Sequence, residues 1–271
     1  MKLTVLGRYG PFPAPGGACS SYLVEAPAVP GKDREHDAKV RLVFDLGAGA
    51  LSRLLMFCPL TEVDAILLSH LHSDHISDMF VLRYALEQLH KRGVQVPTPL
   101  TVIAPSSPEY EFRSLASSGT FNMVRAEDGM KLRFGALSIT LHEMFHPVPT
   151  FGFDILENDA VTAYAYGEEK PKKRLFYTGD TGMYPGLYSL VKGASVLLAD
   201  TNLLSHEKTT EFAAHLTAKE AGSLAKRAGV GRLICTHIWG GSPVEENLLL
   251  EAKTNFPAAM LAEEGRQYII E

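Results

Sequence analysis

The stretch Ser69-His70-Leu71-His72-Ser73-Asp74-His75 constrains this chain more than any other. It puts three imidazoles and a carboxylate into six residues, behind the apolar run Asp64–Ser69 and ahead of a helical pattern over Ile76–Lys91 that ends at Gly93. A short apolar run reads as a buried strand, and the longer periodic segment as an amphipathic helix. A tight turn between them aims all four polar side chains into one small volume. Imidazole with carboxylate suits zinc, manganese or iron, and the lack of thiolate argues against a closed structural zinc site. His70 and His72 alternate on extended chain and can share one ion, while Asp74 and His75 can reach a second.

Other residues repeat the arrangement of a polar ligand behind an apolar strand. His146 follows the strand Leu137–Phe145 and precedes Pro147, and His237 follows the strand Arg232–Thr236. Asp180 lies in Tyr177-Thr178-Gly179-Asp180-Thr181-Gly182, where the strand Arg174–Thr178 runs into a glycine-bounded turn. Further strands are expected at Leu3–Leu6, Ser21–Glu25, Val40–Asp45, Thr101–Ala104, Phe121–Arg125, Lys131–Phe134, Phe151–Leu156, Val161–Tyr166 and Ser195–Ala199, with a hairpin turn at Asn158–Asp159. Helices are expected at Ala50–Phe57, Ser107–Ala116, Gly186–Val191, Ala218–Ala228 and Val244–Asn255. Thr217 and Glu220 form a capping box at the start of the helix behind His215. Strands with helices in both halves, helices outermost, predict an α+β fold, a four-layer αββα sandwich in one domain over residues 1–271. Every chemically suggestive residue is expected in a loop just after a strand, where function usually lives.

Composition narrows the classes. No apolar stretch approaches the ~20 residues that span a bilayer, and Met1–Gly10 has no secretion-signal pattern, so no membrane partner is expected and the chain reads as cytoplasmic. Cys19, Cys58 and Cys235 are odd in number and scattered, which predicts neither a disulfide framework nor a thiolate metal site. A net charge of −5 argues against a broad nucleic-acid-binding surface, although bound divalent ions reverse the sign locally. Lys170, Lys172, Lys173 and Arg174 read as a solvated strand entry, and the polar segment from Ala26 to Lys39 as a surface connection.

His70-Leu71-His72-Ser73-Asp74-His75, with His146, Asp180 and His237, resembles the metallo-β-lactamase superfamily, and the resemblance covers nearly the whole chain. Val5-Leu6-Gly7 and Phe44-Asp45-Leu46-Gly47 look like its first motif, which makes Asp45 a support for the histidine loop rather than a ligand. The resemblance implies that His70, His72 and His146 hold one divalent ion, that Asp74, His75 and His237 hold the other, and that Asp180 bridges them, with zinc first and manganese or iron as alternatives. Within the superfamily the chain is most similar to the ribonuclease Z branch, because Ala213-Ala214-His215-Leu216-Thr217-Ala218 resembles its extra histidine motif and Asp200 ends the preceding strand. His215 is then the general acid, supported by Asp200. One feature departs: only 33 residues separate His146 from Asp180, too few for the branch's protruding tRNA-binding arm.

These residues imply a hydrolase in which a hydroxide between two ions, oriented by Asp74, attacks a phosphodiester in line while His215 protonates the leaving oxygen. The expected partner is a phosphodiester, either a small molecule or RNA, and dimerisation carries over from the branch by analogy. The alternative is the same centre acting on a carboxylic ester, lactone, thioester or β-lactam. A di-iron redox protein fits less well, since His72 is imidazole where that class has an acidic residue. His142, His90 and His206 read as solvent-facing, and Trp239 as either a pocket wall or a core residue.

Overall fold

Period-two alternation along the strands sorts their side chains between two apolar compartments, and this sorting builds the layers. The computed structural model describes residues 1–28, 39–158, 173–210, 213–241 and 243–271. Their first sheet contains β1 (Lys2–Gly7), β2 (Ser21–Pro27), β3 (Lys39–Phe44), β4 (Ala65–Leu67), β5 (Leu100–Ala104) and β6 (Phe121–Arg125). The second contains β7 (Lys131–Phe134), β8 (Leu137–Glu143), β9 (Phe151–Glu157), β10 (Lys173–Tyr177), β11 (Val196–Asp200), β12 (Arg232–Thr236) and β13 (Met260–Leu261). The last strand, β14 (Gln267–Ile269), returns to the first sheet beside β1. The orders are β14-β1-β2-β3-β4-β5-β6 and β13-β12-β11-β10-β9-β8-β7.

On one face of the first sheet Leu3, Val5, Tyr22, Val24, Leu42 and Phe44 meet Ile139, Leu141, Phe153, Ile155, Leu175 and Tyr177 of the second, forming the core between the sheets. The alternate residues Leu23, Val43, Ile66 and Val102 point the other way, onto α1 (Ala50–Leu54), α2 (Ser73–Lys91) and α3 (Glu109–Ala116). Leu197, Ala199, Leu233 and Cys235 likewise cover α4 (Leu187–Val191), α5 (Ala218–Ala228) and α6 (Val244–Asn255). The four-layer αββα sandwich is therefore observed as expected. No described helix is long and apolar enough to cross a membrane.

Parallel pairing runs from β3 through β6 and from β10 through β13. The carboxyl ends of β4, β10, β11 and β12 deliver the loops that carry His70, Asp180, Asn202 and His237, the position where open α/β sheets place their ligands.

Several boundaries differ from expectation. The helix expected from Ile76 begins at Ser73, because His72 has extended backbone and ends the strand-like segment, leaving Asp74 and His75 in the first helical turn. These two site residues are thus helical rather than in a loop, and Asp74 also sits favourably at the positive end of the helix dipole. The strand expected to reach Phe145 ends at Glu143, so His146 lies in the loop beyond it. Strands β13 and β14, two and three residues long, are too short for their periodicity to show. The expected strand Val161–Tyr166, Asp159 of the hairpin turn, and Lys170 and Lys172 lie outside the described residues. Of the basic run, Arg174 is not merely solvated: it grips Asp154 with two guanidinium nitrogens at 2.7 and 3.0 Å. His90 and His206 are exposed, whereas His142 is half-buried and stacked on Phe176.

The capping box is present in full: the Glu220 amide donates to Thr217 Oγ1 at 3.1 Å and the Thr217 amide to Glu220 Oε2 at 3.0 Å. Because the cap fixes where α5 starts, it also fixes the loop that carries His215. Replacing Thr217 with Ala is expected to lower stability by about 1 kcal/mol, seen as a lower urea midpoint at fixed metal content. An unchanged midpoint would mean that packing alone sets the helix start.

Candidate metal centre

His70 is fully buried at the end of β4, and its Nε2 lies 2.9 Å from His72 Nδ1. His146 Nε2 approaches the same His72 nitrogen at 3.3 Å, and Asp180 Oδ2 stands 3.6 Å from His70 Nε2. Three nitrogens and a carboxylate oxygen thus face one point. A tetrahedral ion with bonds of about 2.0–2.1 Å holds its ligand atoms about 3.3 Å apart, the spacing seen here. His146 donates from Nδ1 to the Ala214 carbonyl at 3.1 Å, which leaves the lone pair of Nε2 for the cluster.

A second group lies alongside. His237 Nε2 is 3.0 Å from Asp74 Oδ2 and 3.3 Å from Asp180 Oδ2, while His75 Nε2 is 3.3 Å from Asp180 Oδ1 and 3.6 Å from Asp74 Oδ2. Asp180 contacts both groups. His75 Nε2 and Asp180 Oδ1 are buried without a hydrogen-bond partner; they sit close but misaligned. A buried polar atom left unpaired is costly, and a cation satisfies both atoms at once. The residues therefore fit a pair of divalent ions, with His70, His72 and His146 around one position, Asp74, His75 and His237 around the other, and Asp180 facing each. All seven residues expected to be ligands are brought together.

Electrostatics separates the two positions. Burial holds His70, His72 and His146 below the ordinary imidazole range, so they are neutral and ready to ligate. Burial also opposes the charge on His75 and His237, but carboxylates outweigh it. Asp180, Asp74 and Asp45 raise His75 well above its usual range, and Asp180, Asp200 and Asp74 push His237 up to about 10. Without an ion, these two imidazoles carry the positive charge that balances the carboxylates.

The supporting residues explain the local folding. Asp45, fully buried, accepts from the Ser69 amide at 2.7 Å, Ser69 Oγ at 2.8 Å, His75 Nδ1 at 2.9 Å and the Tyr177 hydroxyl at 2.6 Å. It steadies the histidine loop and the start of α2, as expected of a support. Asn202 donates from Nδ2 to the carbonyls of His237 and Gly10 at 2.9 and 3.1 Å. Asp45 and His237 are the described non-glycine residues with positive φ, 55° and 51°, so backbone strain gathers at the cluster. No role is expected from the sequence for Ser69, Tyr177 or Asn202, because each acts through a partner distant along the chain and no local pattern marks it.

Asp200 and His215 also meet. His215 Nδ1 lies 2.8 Å from Asp200 Oδ2, which also accepts the Thr181 amide at 3.0 Å. The His215 ring stacks on that of His237 with centroids 5.2 Å apart and lies 5.2 Å from that of His146. Burial acts against its charge, yet Asp200 raises its pKa above the ordinary value.

A four-layer αββα sandwich with this cluster at its strand ends defines a metallo-hydrolase of the β-lactamase class. Residues 41–238 match the family described as the Beta-lactamase superfamily domain, and the chain belongs to that family. It is 30% identical over 258 residues to the probable metallo-hydrolase YhfI of Bacillus subtilis, covering 94% of each chain. The crystal structure of YhfI superposes with a TM-score of 0.83 over 98% of each chain, at 28% identity. Ribonuclease Z of Brevibacillus brevis is 24% identical in an alignment that covers 82% of this chain and 85% of that one. The short form of human tRNase Z shares the fold, with a TM-score of 0.68, 20% identity and full coverage of both chains.

Two outcomes are expected. Asp45→Asn places an amide N–H against donors, stranding at least one of them at about 1–3 kcal/mol; the urea midpoint and the metal content by mass spectrometry should both fall, and retention of both would show that Asp45 is dispensable. Second, ion binding at the Asp74–His75–His237 position must displace a proton from each of two imidazoles, whereas the position lined by His70 need not. Isothermal titration should show affinity at the Asp74–His75–His237 position rising roughly a hundredfold per pH unit between pH 6 and 8, and a flatter dependence at the other. Equal slopes would contradict this charge assignment.

Proposed function

We propose that the chain is a dinuclear metal-dependent phosphodiesterase or nuclease of the ribonuclease Z type, acting on a small-molecule or RNA phosphodiester. The observation that carries this reading is the Asp200–His215 pair beside the metal-binding cluster. Cleavage of a phosphodiester expels an alkoxide, which needs a proton that His215 is able to give; expulsion of a thiolate needs none. The likeness to ribonuclease Z of Brevibacillus brevis supports the same substrate class.

Held by these histidines and aspartates, divalent ions, zinc first with manganese or iron as alternatives, would supply Lewis-acid activation of water and neutralise phosphoryl charge. The protein's own residues do the rest. Asp74, held against His237 at 3.0 Å, is the carboxylate placed to orient the attacking water. With Nδ1 of His215 committed to Asp200, Nε2 carries the proton for the leaving oxygen. Asp200 is itself fixed by the amides of Thr181 and Asn202, at 3.0 and 3.2 Å, so the imidazole is oriented before substrate arrives.

General-acid assistance matters most for a poor leaving group. Replacing His215 with Ala is expected to lower kcat for dithymidine monophosphate by ~10²–10⁴, to affect bis(p-nitrophenyl) phosphate much less, and to leave metal content unchanged. Equal losses on both substrates, or turnover confined to a lactone or a chromogenic β-lactam, would overturn the reading.

A further inference from the structure

The mouth of the cluster carries an aromatic feature that hydrolysis of the diester bond does not use. Phe12 and Trp239 are 52% and 43% exposed, and their rings meet edge to face with centroids 5.1 Å apart. Both are tied to His237. Tyr9 bridges to Ile238 in parallel register, the Gly10 amide donates to the Ile238 carbonyl at 3.2 Å, and a Cβ at Gly10 would lie 2.0 Å from His237 Nε2. Gly10 therefore runs directly over the His237 imidazole, an approach only glycine allows, and Phe12 follows two residues on against Trp239. Ile238 is fully buried, so the chain sends one side chain into the core and the next, Trp239, out to the rim. Two residues of chain span at most about 7 Å, which places Trp239 within reach of a group attached to a phosphate at His237.

Large aromatic side chains left in water beside a polar cluster lose apolar burial that a flat ligand restores. Stacking on an aromatic face suits any nucleobase. We propose that Trp239, braced by the ring of Phe12, forms a stacking platform for a nucleobase, so that the favoured phosphodiester carries a nucleoside on its His237 side. The substrate assignment rests on the phosphodiesterase reading; the stacking does not, and it can be measured without turnover.

Trp239 is the only tryptophan in the chain, so its emission reports this rim alone. Metal-loaded full-length protein, titrated with thymidine 5′-monophosphate, is expected to show saturable quenching that methyl phosphate does not produce. Phe12→Ala should weaken that binding by about two- to tenfold, the worth of one edge-to-face aromatic pair. Trp239→Ala should lower the kcat/KM ratio of thymidine 5′-(4-nitrophenyl) phosphate over methyl 4-nitrophenyl phosphate by about five- to hundredfold, the range for loss of one base–aromatic stack, and Trp239→Phe should restore most of it. Equal quenching by both phosphates, or none by either, overturns the platform. Quenching without hydrolysis of either diester supports the platform and defeats the diesterase reading alone.

Discussion

Asp45 has no exposed surface, yet it takes hydrogen bonds from the histidine loop through Ser69, from α2 through His75 and from the second sheet through Tyr177. A buried carboxylate is tolerated only when its oxygens are occupied, and here each donor comes from a different part of the sandwich. The same bond that satisfies Asp45 turns Nε2 of His75 toward Asp180. The core between the sheets, the start of α2 and the direction of a metal-binding nitrogen are therefore set together. The fold does not merely carry the site; the polar network at its centre requires both sheets.

The second consequence is electrostatic. Three neutral imidazoles at one position and two charged ones at the other follow from where the carboxylates sit. Asp180 and Asp74 lie among the raised pair, while the trio around His72 is governed by burial. Cation binding completes this arrangement by replacing protons with metal at the same carboxylates, so folding, charge balance and metal affinity are coupled.

Much of this was legible in the chain. The histidine loop, Asp180 and His237 each follow an apolar strand, and the carboxyl ends of parallel strands converge; the His215–Asp200 pair is carried instead by its resemblance to the ribonuclease Z motif. Helix α2 begins three residues before the expected Ile76, because nothing local shows that His72 terminates the extended segment and that helix runs through the site from Ser73. Ser69, Tyr177 and Asn202 carried no spacing signal, since one hydroxyl or amide acquires its role only from a partner far along the chain, as Tyr177 does from Asp45. Strands β13 and β14 are short edges whose pairing is set by neighbours rather than by their own pattern. Trp239 could be read equally as core or rim; its exposure decides for the rim.

The central claim is that one buried cluster holds two divalent ions. Anomalous diffraction from metal-loaded crystals, collected on either side of the metal absorption edge, tests it most directly. The account requires two peaks, one enclosed by His70, His72 and His146, the other by Asp74, His75 and His237, with Asp180 between them. A single peak, or metal bound away from these seven residues, would contradict it.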